Sequence, residues 1–331
     1  MTRGLVVGKF YPPHRGHQHL IATALAQVEW LDIIVCARPE QTIPGGVRAA
    51  WLREMYPLAH IHEVDDFGDD DNSARWAEMI RATLGYAPAV VFTSEEYGER
   101  LAHFLGARHV MVDRERAHVP ISASAIRRDP LSHLQFLPPV VRAHFVKRVC
   151  VVGAESTGTT TLSRELAAHF STLWVPEYGR EYTEHKLPRG GEMSQLRWET
   201  AEFVHIAQTQ IALEQEAAGR ANRVLICDTD ALATAIWHER YVGHSSEAVD
   251  ALARSRQYDL YLLTDCEIPF VQDGLRDGEH ARQWMTNRFR DELTVRGLRW
   301  QLVHGSREER LRQAVTAIEL LLSGPPASSP P

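Results

Sequence analysis

Two histidines near the amino terminus, His14 and His17, have the type and spacing to bind phosphate. They stand three residues apart where a predicted helix begins, at about Gly16, so both imidazoles project from one side of its first turn. An apolar strand at residues 5–7 precedes them, and two prolines force a turn between strand and helix. Free backbone N–H groups at a helix start attract anions. The segment therefore predicts a nucleotide-phosphate site at the carboxyl end of a parallel strand.

This segment resembles the GxFxPxHxGH signature of nucleotidylyltransferases, and specifically of the nicotinamide mononucleotide (NMN) adenylyltransferases. The six fixed positions of that signature are filled by Gly8, Phe10, Pro12, His14, Gly16 and His17. The resemblance implies a Rossmann-like parallel sheet, with ATP and NMN as substrates and NAD as the product.

The resemblance also implies the chemistry of this first site. The 5′-phosphate of NMN attacks the α-phosphorus of ATP in line and releases pyrophosphate, without a covalent enzyme intermediate. Catalysis then depends on positioning and on neutralising charge in the transition state. The two histidines are implied to be catalytic by donating to phosphate oxygens, while Mg²⁺ bridges the phosphates. The ATP-binding residues implied here are Gly8, Lys9, Phe10 and Gly16.

A second segment, residues 120–127, resembles the ISxTxxR motif of the same adenylyltransferases, with Ser124 where Thr is usual. Ser122 or Ser124 can cap a helix whose exposed N–H groups receive phosphate oxygens. Arg127 adds a bidentate cation one turn later. We therefore expect these three side chains at the ATP site.

Strands alternate with helices through the first 136 residues, which predicts a doubly wound parallel sheet. The predicted strands are 5–7, 31–36, 89–92 and 109–112, and the predicted helices are 16–26, 47–55 and 74–84. The acidic run 65–71 is interpreted as a solvated loop before a helix that Asn72 or Ser73 caps. Trp76, on that helix, is the candidate substrate-binding residue of this half.

The second half opens with a predicted strand at 148–152, a glycine-rich loop and a helix at 162–170, which is the setting of a P-loop. The G-x4-G spacing is intact, and the Thr160 hydroxyl is placed to bind Mg²⁺. Thr159 occupies the position of the P-loop lysine, which normally supplies charge to the β- and γ-phosphates. The candidate nucleotide-binding residues are Gly153, Glu155, Ser156, Thr157, Gly158, Thr159, Thr160 and Thr161.

Further polar clusters follow the P-loop in order. Candidate substrate-binding residues are Glu177, Tyr178, Arg180 and Asp230. Asp228 directly follows the predicted strand 224–227. A carboxylate at the carboxyl end of a strand can orient Mg²⁺-bound water or accept a proton. Arg276 lies between two glycines, as in a mobile lid.

In this order the clusters resemble the ribosylnicotinamide kinase domain of the NadR-type bifunctional proteins, and the resemblance covers residues 4–320. It implies that the 5′-hydroxyl of ribosylnicotinamide attacks the γ-phosphate of ATP, giving NMN. Asp228 is then the base or the metal orienter, and Arg276 is the lid cation. We hypothesise that Arg276 or Arg282 substitutes for the missing lysine charge.

Three other functions stay open from the sequence. The second domain could bind or sense nucleotide without kinase activity, because Thr159 removes a charge. The chain could instead be a non-enzymatic regulator of NAD genes, or an adenylyltransferase for another small phosphate such as phosphopantetheine. Some NadR-type proteins carry a helix-turn-helix repressor domain before the first strand. Only three residues precede Gly4 here, so we expect that domain to be missing.

Length and composition bound the remaining expectations. A chain of 331 residues favours two domains, which we place at 1–136 and 137–322, with a disordered tail at 323–331. The net charge of −7 disfavours nucleic acid as a partner, and the sequence shows neither a membrane span nor a signal peptide. We therefore expect a cytoplasmic enzyme with four reduced cysteines, for which a homo-oligomer is one assembly left open by the sequence.

Overall fold

The computed structural model describes residues 2–69, 72–189 and 191–324, and the chain divides into two units between Val141 and Arg142. Each unit contains one five-stranded sheet in which all neighbouring strands are parallel. The predicted α/β fold class with two parallel sheets is confirmed. Most of the predicted tail, 325–331, lies outside the described residues, whereas Ser323 ends the last helix. No helix in the described ranges is long and apolar enough to cross a bilayer.

The first unit is built around its first strand. Its strands are β1 (Arg3–Gly8), β2 (Trp30–Ala37), β3 (His60–Asp65), β4 (Val90–Thr93) and β5 (Arg108–Met111). Its helices are α1 (Arg15–Leu25), α2 (Gly45–Met55), α3 (Ser73–Leu84), α4 (Tyr97–Leu105) and α5 (Ala123–Arg128), then 3-10 turns at Pro130–Ser132 and Leu134–Phe136, and α6 (Pro139–Phe145), which contains the boundary between the units. The strand order is β3-β2-β1-β4-β5, so β1 is central.

The central strands of this sheet are buried on both faces, which is why they are apolar almost throughout. Val6 and Ile33 belong to the apolar cluster on one face, and Leu5 and Ile34 to the cluster on the other. The edge strand β3 escapes sequence prediction because four of its six residues are His, Glu or Asp. An edge strand needs no continuous apolar run, since only one side of it is paired.

The second unit repeats this plan around its own first strand. Its strands are β6 (Lys147–Gly153), β7 (Trp174–Val175), β8 (Val224–Asp228), β9 (Leu260–Thr264) and β10 (Trp300–Val303). Its helices are α7 (Thr159–His169), α8 (Tyr178–Lys186), α9 (Thr200–Ala218), α10 (Ala231–Val242), α11 (Glu247–Arg254), α12 (Arg282–Val295) and α13 (Arg307–Ser323), with 3-10 turns at Met193–Gln195 and Glu279–Ala281. The order β10-β9-β6-β8-β7 makes β6 central, so the loops after β6 and β8 leave the sheet side by side.

Candidate active sites

The first candidate site lies where β1 ends and α1 begins. His14 is the N-cap of α1, and its Nδ1 accepts a hydrogen bond from the Gly16 amide at 3.1 Å. The Nδ1 of His17 accepts one from the His14 amide at 3.3 Å, and the two rings stack with centroids 3.8 Å apart. Because both Nδ1 atoms are acceptors, each neutral ring carries its proton on Nε2, which remains to donate to a ligand.

Burial controls the charge of this histidine pair. Burial first, and then the nearby charge of Arg116, lowers the pKa of His14 to about 4. Burial, followed by the influence of His14 and Arg116, holds the pKa of His17 well below its usual value. Both rings are therefore neutral near pH 7. They serve this site as hydrogen-bond donors and not as cations.

A cavity of about 840 Å³ opens at the carboxyl ends of β1, β2 and β4, large enough for a nucleotide. The structure brings most of the sequence-predicted residues of this half into its wall: Gly8, Lys9, Phe10, His17, Trp76, Ser122, Ser124 and Arg127. His14 and Gly16 are outside that wall. They act on it through the hydrogen bonds of the α1 N-cap, which fix the ring of His17.

The second predicted motif meets the first in this cavity. Ser122 is the N-cap of α5, and its hydroxyl accepts the Ala125 amide. Arg127 donates to the Tyr11 carbonyl at 2.6 Å and to the Ser124 hydroxyl at 3.1 Å. Its guanidinium also lies 4.5 Å from the centroid of the Tyr11 ring. These contacts hold a cation at the mouth of the β1–α1 turn.

Sequence patterns miss an ion cluster in the same wall. Arg38 follows β2, Asp66 follows β3, and the guanidinium contacts both carboxylate oxygens at 2.9 Å. Lys9 lies 3.5 Å from the same carboxylate. Burial alone would raise the pKa of Asp66. Hydrogen bonds from Arg38 and the Gly68 amide, together with the charge of Lys9, outweigh burial and lower that pKa. Only the sheet order, which places β3 beside β2, brings these distant residues together.

A fully buried arginine, Arg48 on α2, supports the turn between β1 and α1. It donates to the carbonyls of Lys9 and Cys36, the latter at 3.2 Å, and to the Gln41 side chain at 2.6 Å. It thus ties the end of β2 to the turn after β1. No sequence pattern predicts this role of Arg48, because α2 otherwise shows an ordinary helical pattern.

The second candidate site is the loop between β6 and α7. A side chain at Gly153 would put its Cβ 2.1 Å from the Thr264 hydroxyl, so only glycine fits there. Gly158 has a φ of +85°, which favours glycine. Thr157 is buried, and its hydroxyl bonds the Ala154 carbonyl and the Thr264 hydroxyl, each at 2.7 Å. The Thr157 side chain therefore closes the loop, whose amides remain for a ligand.

Two carboxyl groups lie beside this loop, the buried Asp228 and the half-buried Glu177. Burial, opposed by hydrogen bonds from Thr160 and Thr159, raises the pKa of Asp228 to about 6. Burial, and secondarily the charge of Asp228, raises the pKa of Glu177 to about 8. One oxygen of Asp228 has no hydrogen-bond partner in the described structure. Near pH 7 Asp228 is therefore mainly ionised and Glu177 mainly protonated, although the pair titrates jointly.

Glu177 lies in the wall of a cavity that also has an aromatic side. The aromatic residues lining it are Trp198, Phe203, Trp237 and Tyr241. The Tyr241 ring stacks with both indoles, with centroids 5.4 Å and 5.9 Å away. Trp237 and Tyr241 are on α10, Phe203 is on α9, and Trp198 precedes α9. They match no sequence motif, so only the fold reveals the aromatic wall.

The segment after β9 packs over the phosphate loop. The Val271 amide donates to the Ser156 hydroxyl at 2.8 Å, and Arg276 approaches the same hydroxyl at 3.4 Å. Arg276 is also 3.3 Å from the Asp273 carboxylate, which Arg180 contacts at 3.0 Å. The predicted lid arginine therefore lies against the loop that it was expected to close.

The structure gathers eight predicted residues of the second half in one cavity wall: Gly153, Glu155, Ser156, Thr159, Thr160, Glu177, Arg180 and Arg276. Asp228 lies just below, bonded to the two threonines. Asp230 instead caps α10 and accepts the Tyr261 hydroxyl at 2.7 Å, so both of its oxygens serve the core. Tyr178, Thr157, Gly158 and Thr161 are also outside the wall.

Comparisons with known proteins bear on both units. Residues 148–310 match a family model described as an AAA domain. Over 299 residues the chain is 31% identical to the "Trifunctional NAD biosynthesis/regulator protein NadR" of Escherichia coli (strain K12), covering 83% of this chain and 72% of that protein. Two crystal structures share the fold over 98% of this chain: a NadR protein in complex with NR (TM-score 0.76, 22% identity, 96% of that chain) and one in complex with NAD and AMP-PNP (0.74, 21%, 97%).

Proposed function

The chain belongs to the NadR family, and from this premise we propose that it makes NAD with its first unit and supplies NMN to that reaction with its second. The first reaction transfers AMP from ATP to NMN. The second phosphorylates ribosylnicotinamide with ATP. The observation that carries the proposal is that each unit presents a turn and a helix N-terminus at the carboxyl end of its central strand, beside a cavity.

In the first reaction an oxygen of the NMN 5′-phosphate bonds to the α-phosphorus of ATP while the bond to the β-phosphate oxygen breaks. Negative charge shifts onto the leaving pyrophosphate. The Nε2–H of His17 stabilises this charge by a hydrogen bond, and the cations of Lys9 and Arg127 neutralise it. Because these groups are already held in place, they need little reorganisation. The indole of Trp76 in the same wall offers an apolar face to the nicotinamide ring.

In the second reaction ribosylnicotinamide contributes a positively charged pyridinium ring. The aromatic wall of Trp198, Trp237 and Tyr241 binds such a ring by cation–π attraction. Glu177, in the same wall, accepts the proton of the 5′-hydroxyl as that oxygen bonds to the γ-phosphorus and ADP leaves. Its pKa of about 8 suits a general base.

The unpartnered oxygen of Asp228 and the Thr160 hydroxyl are hard oxygen donors, so these residues fit Mg²⁺. When bound there, the ion would neutralise charge on the ATP phosphates. We therefore assign Asp228 to orienting the metal and Glu177 to the proton. In the described part of the chain no cluster of three or more His, Cys, Asp or Glu side chains forms a metal site, so the nucleotide itself would supply most ligands.

One assay tests both reactions. The chain is incubated with MgATP and either NMN or ribosylnicotinamide, and NAD, NMN, pyrophosphate and ADP are separated by chromatography. We expect NAD and pyrophosphate from NMN, and NMN, then NAD, from ribosylnicotinamide. Lack of NAD in the first incubation would refute the adenylyltransferase proposal.

The second candidate function, an adenylyltransferase with a nucleotide-binding but kinase-impaired second unit, is favoured by one observation. Thr159 stands where the P-loop lysine belongs. The ribosylnicotinamide incubation decides between the two functions, because only a kinase consumes ATP in it.

A further inference from the structure

The phosphate loop of the second unit lacks its usual cation and has three carboxyl groups beside it. Thr159 lines the cavity in the lysine position and bonds Asp228. Glu155 and Glu177 line the same cavity. A triphosphate entering this space adds further negative charge, which a threonine hydroxyl cannot balance. Apart from Mg²⁺, the side-chain cation that a P-loop lysine would supply has to come from another element.

Among the described residues, five arginines surround the loop or line its cavity: Arg180, Arg240, Arg276, Arg282 and Arg310. Two of them are fully committed to other groups. Arg240 pairs with Glu155 at 3.2 Å and with Asp277 at 2.6 Å. Arg310 pairs with Glu267 at 3.1 Å and donates to the Thr157 carbonyl at 2.7 Å. Their charges are already balanced inside the protein.

Two more share one carboxylate. Arg180 lies 3.0 Å and Arg276 lies 3.3 Å from the same oxygen of Asp273. Arg180 has a second acidic partner, Glu184, at 3.2 Å. If the lid closes with these pairs intact, Asp273 stays beside both guanidinium groups and offsets part of their positive charge.

Arg282, the first residue of α12, differs from the other four. Its Nη2 donates to the carbonyl of Ser156 in the phosphate loop at 3.3 Å and to that of Ile268 at 2.8 Å. Within the described ranges no carboxylate pairs with it, and its Nε is buried without a hydrogen-bond partner. Its charge is therefore held against the loop by neutral carbonyls, with a donor left over.

Building on the kinase function proposed above, we propose that Arg282 supplies to the ATP phosphates the positive charge that the loop lacks at Thr159. The Ser156 carbonyl anchors the guanidinium on one side. The guanidinium therefore lies beside the loop whose amides are available to phosphate. Because the charge comes from α12, the lysine position is free to carry a hydroxyl that bonds Asp228 instead.

Charge complementation tests this assignment. The variants are Arg282→Gln, Thr159→Lys and the double variant, with Arg290→Gln as the matched control, because Arg290 is exposed on the same helix. The readout is kcat/KM for ATP in ribosylnicotinamide phosphorylation, with thermal unfolding as a check on folding. We expect Arg282→Gln to lose about 10²-fold, a typical loss for one charge-stabilising donor. The double variant should return to within about tenfold of Thr159→Lys alone, which is its reference, and Arg290→Gln should change little.

Each other outcome counts against the assignment. Kinase activity that survives Arg282→Gln overturns it, and so does a loss that Thr159→Lys leaves unrescued, because that loss would be structural. If Arg282→Gln unfolds the second unit, Arg282→Lys is measured instead because it keeps the charge. A kcat/KM close to that of the wild type then supports the assignment, and a large loss in a folded variant contradicts it. A wild-type chain that makes NAD from NMN but no NMN from ribosylnicotinamide overturns the kinase proposal, and this inference with it. Wild-type kinase activity that survives Arg282→Gln overturns this inference alone, so the two failures can be distinguished.

Discussion

At the scale of single residues, the neutral state of His14 and His17 gives the first site a constant charge. An imidazole with a pKa near 6.5 would change its charge across the physiological range, and phosphate binding would change with it. Burial removes that dependence by holding both rings neutral. The hydrogen bonds to Nδ1 then leave Nε2–H as the donor to the ligand.

His17→Ala removes a donor that faces the cavity without removing the amides and cations of the proposed ATP site. We expect a loss of about 10²–10³-fold in kcat for NAD formation, with little change in ATP affinity. Steady-state kinetics and calorimetric titration with an ATP analogue measure the two quantities. His19→Ala is the matched control, since His19 is on the same helix and outside the cavity wall. An unchanged rate in His17→Ala would remove this residue from the mechanism.

His14 also makes the stability of the first unit depend on pH. Its pKa is about 4 in the folded chain and about 6.5 unfolded, so below pH 6.5 the unfolded state binds the extra proton. Stability is therefore full above pH 6.5 and declines as pH falls towards 4, by up to about 3 kcal/mol from this residue.

Urea unfolding between pH 7.5 and 4.5 tests that pH dependence against His14→Asn, because Asn keeps an N-cap acceptor but does not titrate. We expect the variant to lose less stability on acidification than the wild type does. Parallel curves for the two proteins would show that His14 is not buried in its neutral form.

At the scale of elements, the sequence predicts the parts that carry continuous apolar runs and misses those that do not. The central strands β1, β2, β6 and β8 are buried on both faces, and each appears in the sequence as an apolar run. The long helix α9 escapes prediction because its buried face includes Gln210 and Glu214 among apolar residues. The polar pair is satisfied inside, since Glu214 accepts the Tyr258 hydroxyl at 2.6 Å.

The same contrast holds within the two sites. Motif residues such as His17 and Ser122 are contiguous with the turn that they build, so local spacing predicts them. Arg38 and Asp66 meet only because β2 and β3 are neighbours in the sheet. A contact set by strand order leaves no local pattern, so the sequence alone could not provide it.

Arg48 offers a test of how one element supports another. Arg48→Met keeps the length of the side chain but leaves the carbonyls of Lys9 and Cys36 without their buried donor. We expect the free energy of unfolding to fall by about 2–4 kcal/mol, with a loss of kcat for NAD formation as the turn loosens. Chemical denaturation and steady-state kinetics measure both effects. Arg53→Met, exposed on the same helix, should stay within about 0.5 kcal/mol of wild type; equal effects from both variants would contradict the supporting role.

At the scale of the whole molecule, the two sites use ionisable groups in opposite ways. The first site depends on histidines that stay neutral through the physiological range. In the kinase reaction proposed above, the second depends on a carboxyl group, Glu177, which must lose its proton before it can accept one from a hydroxyl. We therefore expect the rate of NAD formation to change little with pH near 7, and the rate of ribosylnicotinamide phosphorylation to depend on it.

This difference predicts that the two activities diverge with pH. Burial raises the pKa of Glu177 to about 8, so the fraction of free enzyme with an ionised base rises as pH increases from 6.5 to 8. We expect kcat/KM for ribosylnicotinamide to rise about tenfold over that range, while kcat/KM for NMN shows no such rise. Parallel assays on one preparation measure both profiles, with Glu177→Gln expected to abolish the rising limb and most kinase activity. Kinase activity that is flat across this range, or a Glu177→Gln variant that keeps the wild-type profile, would transfer the role of base to another group.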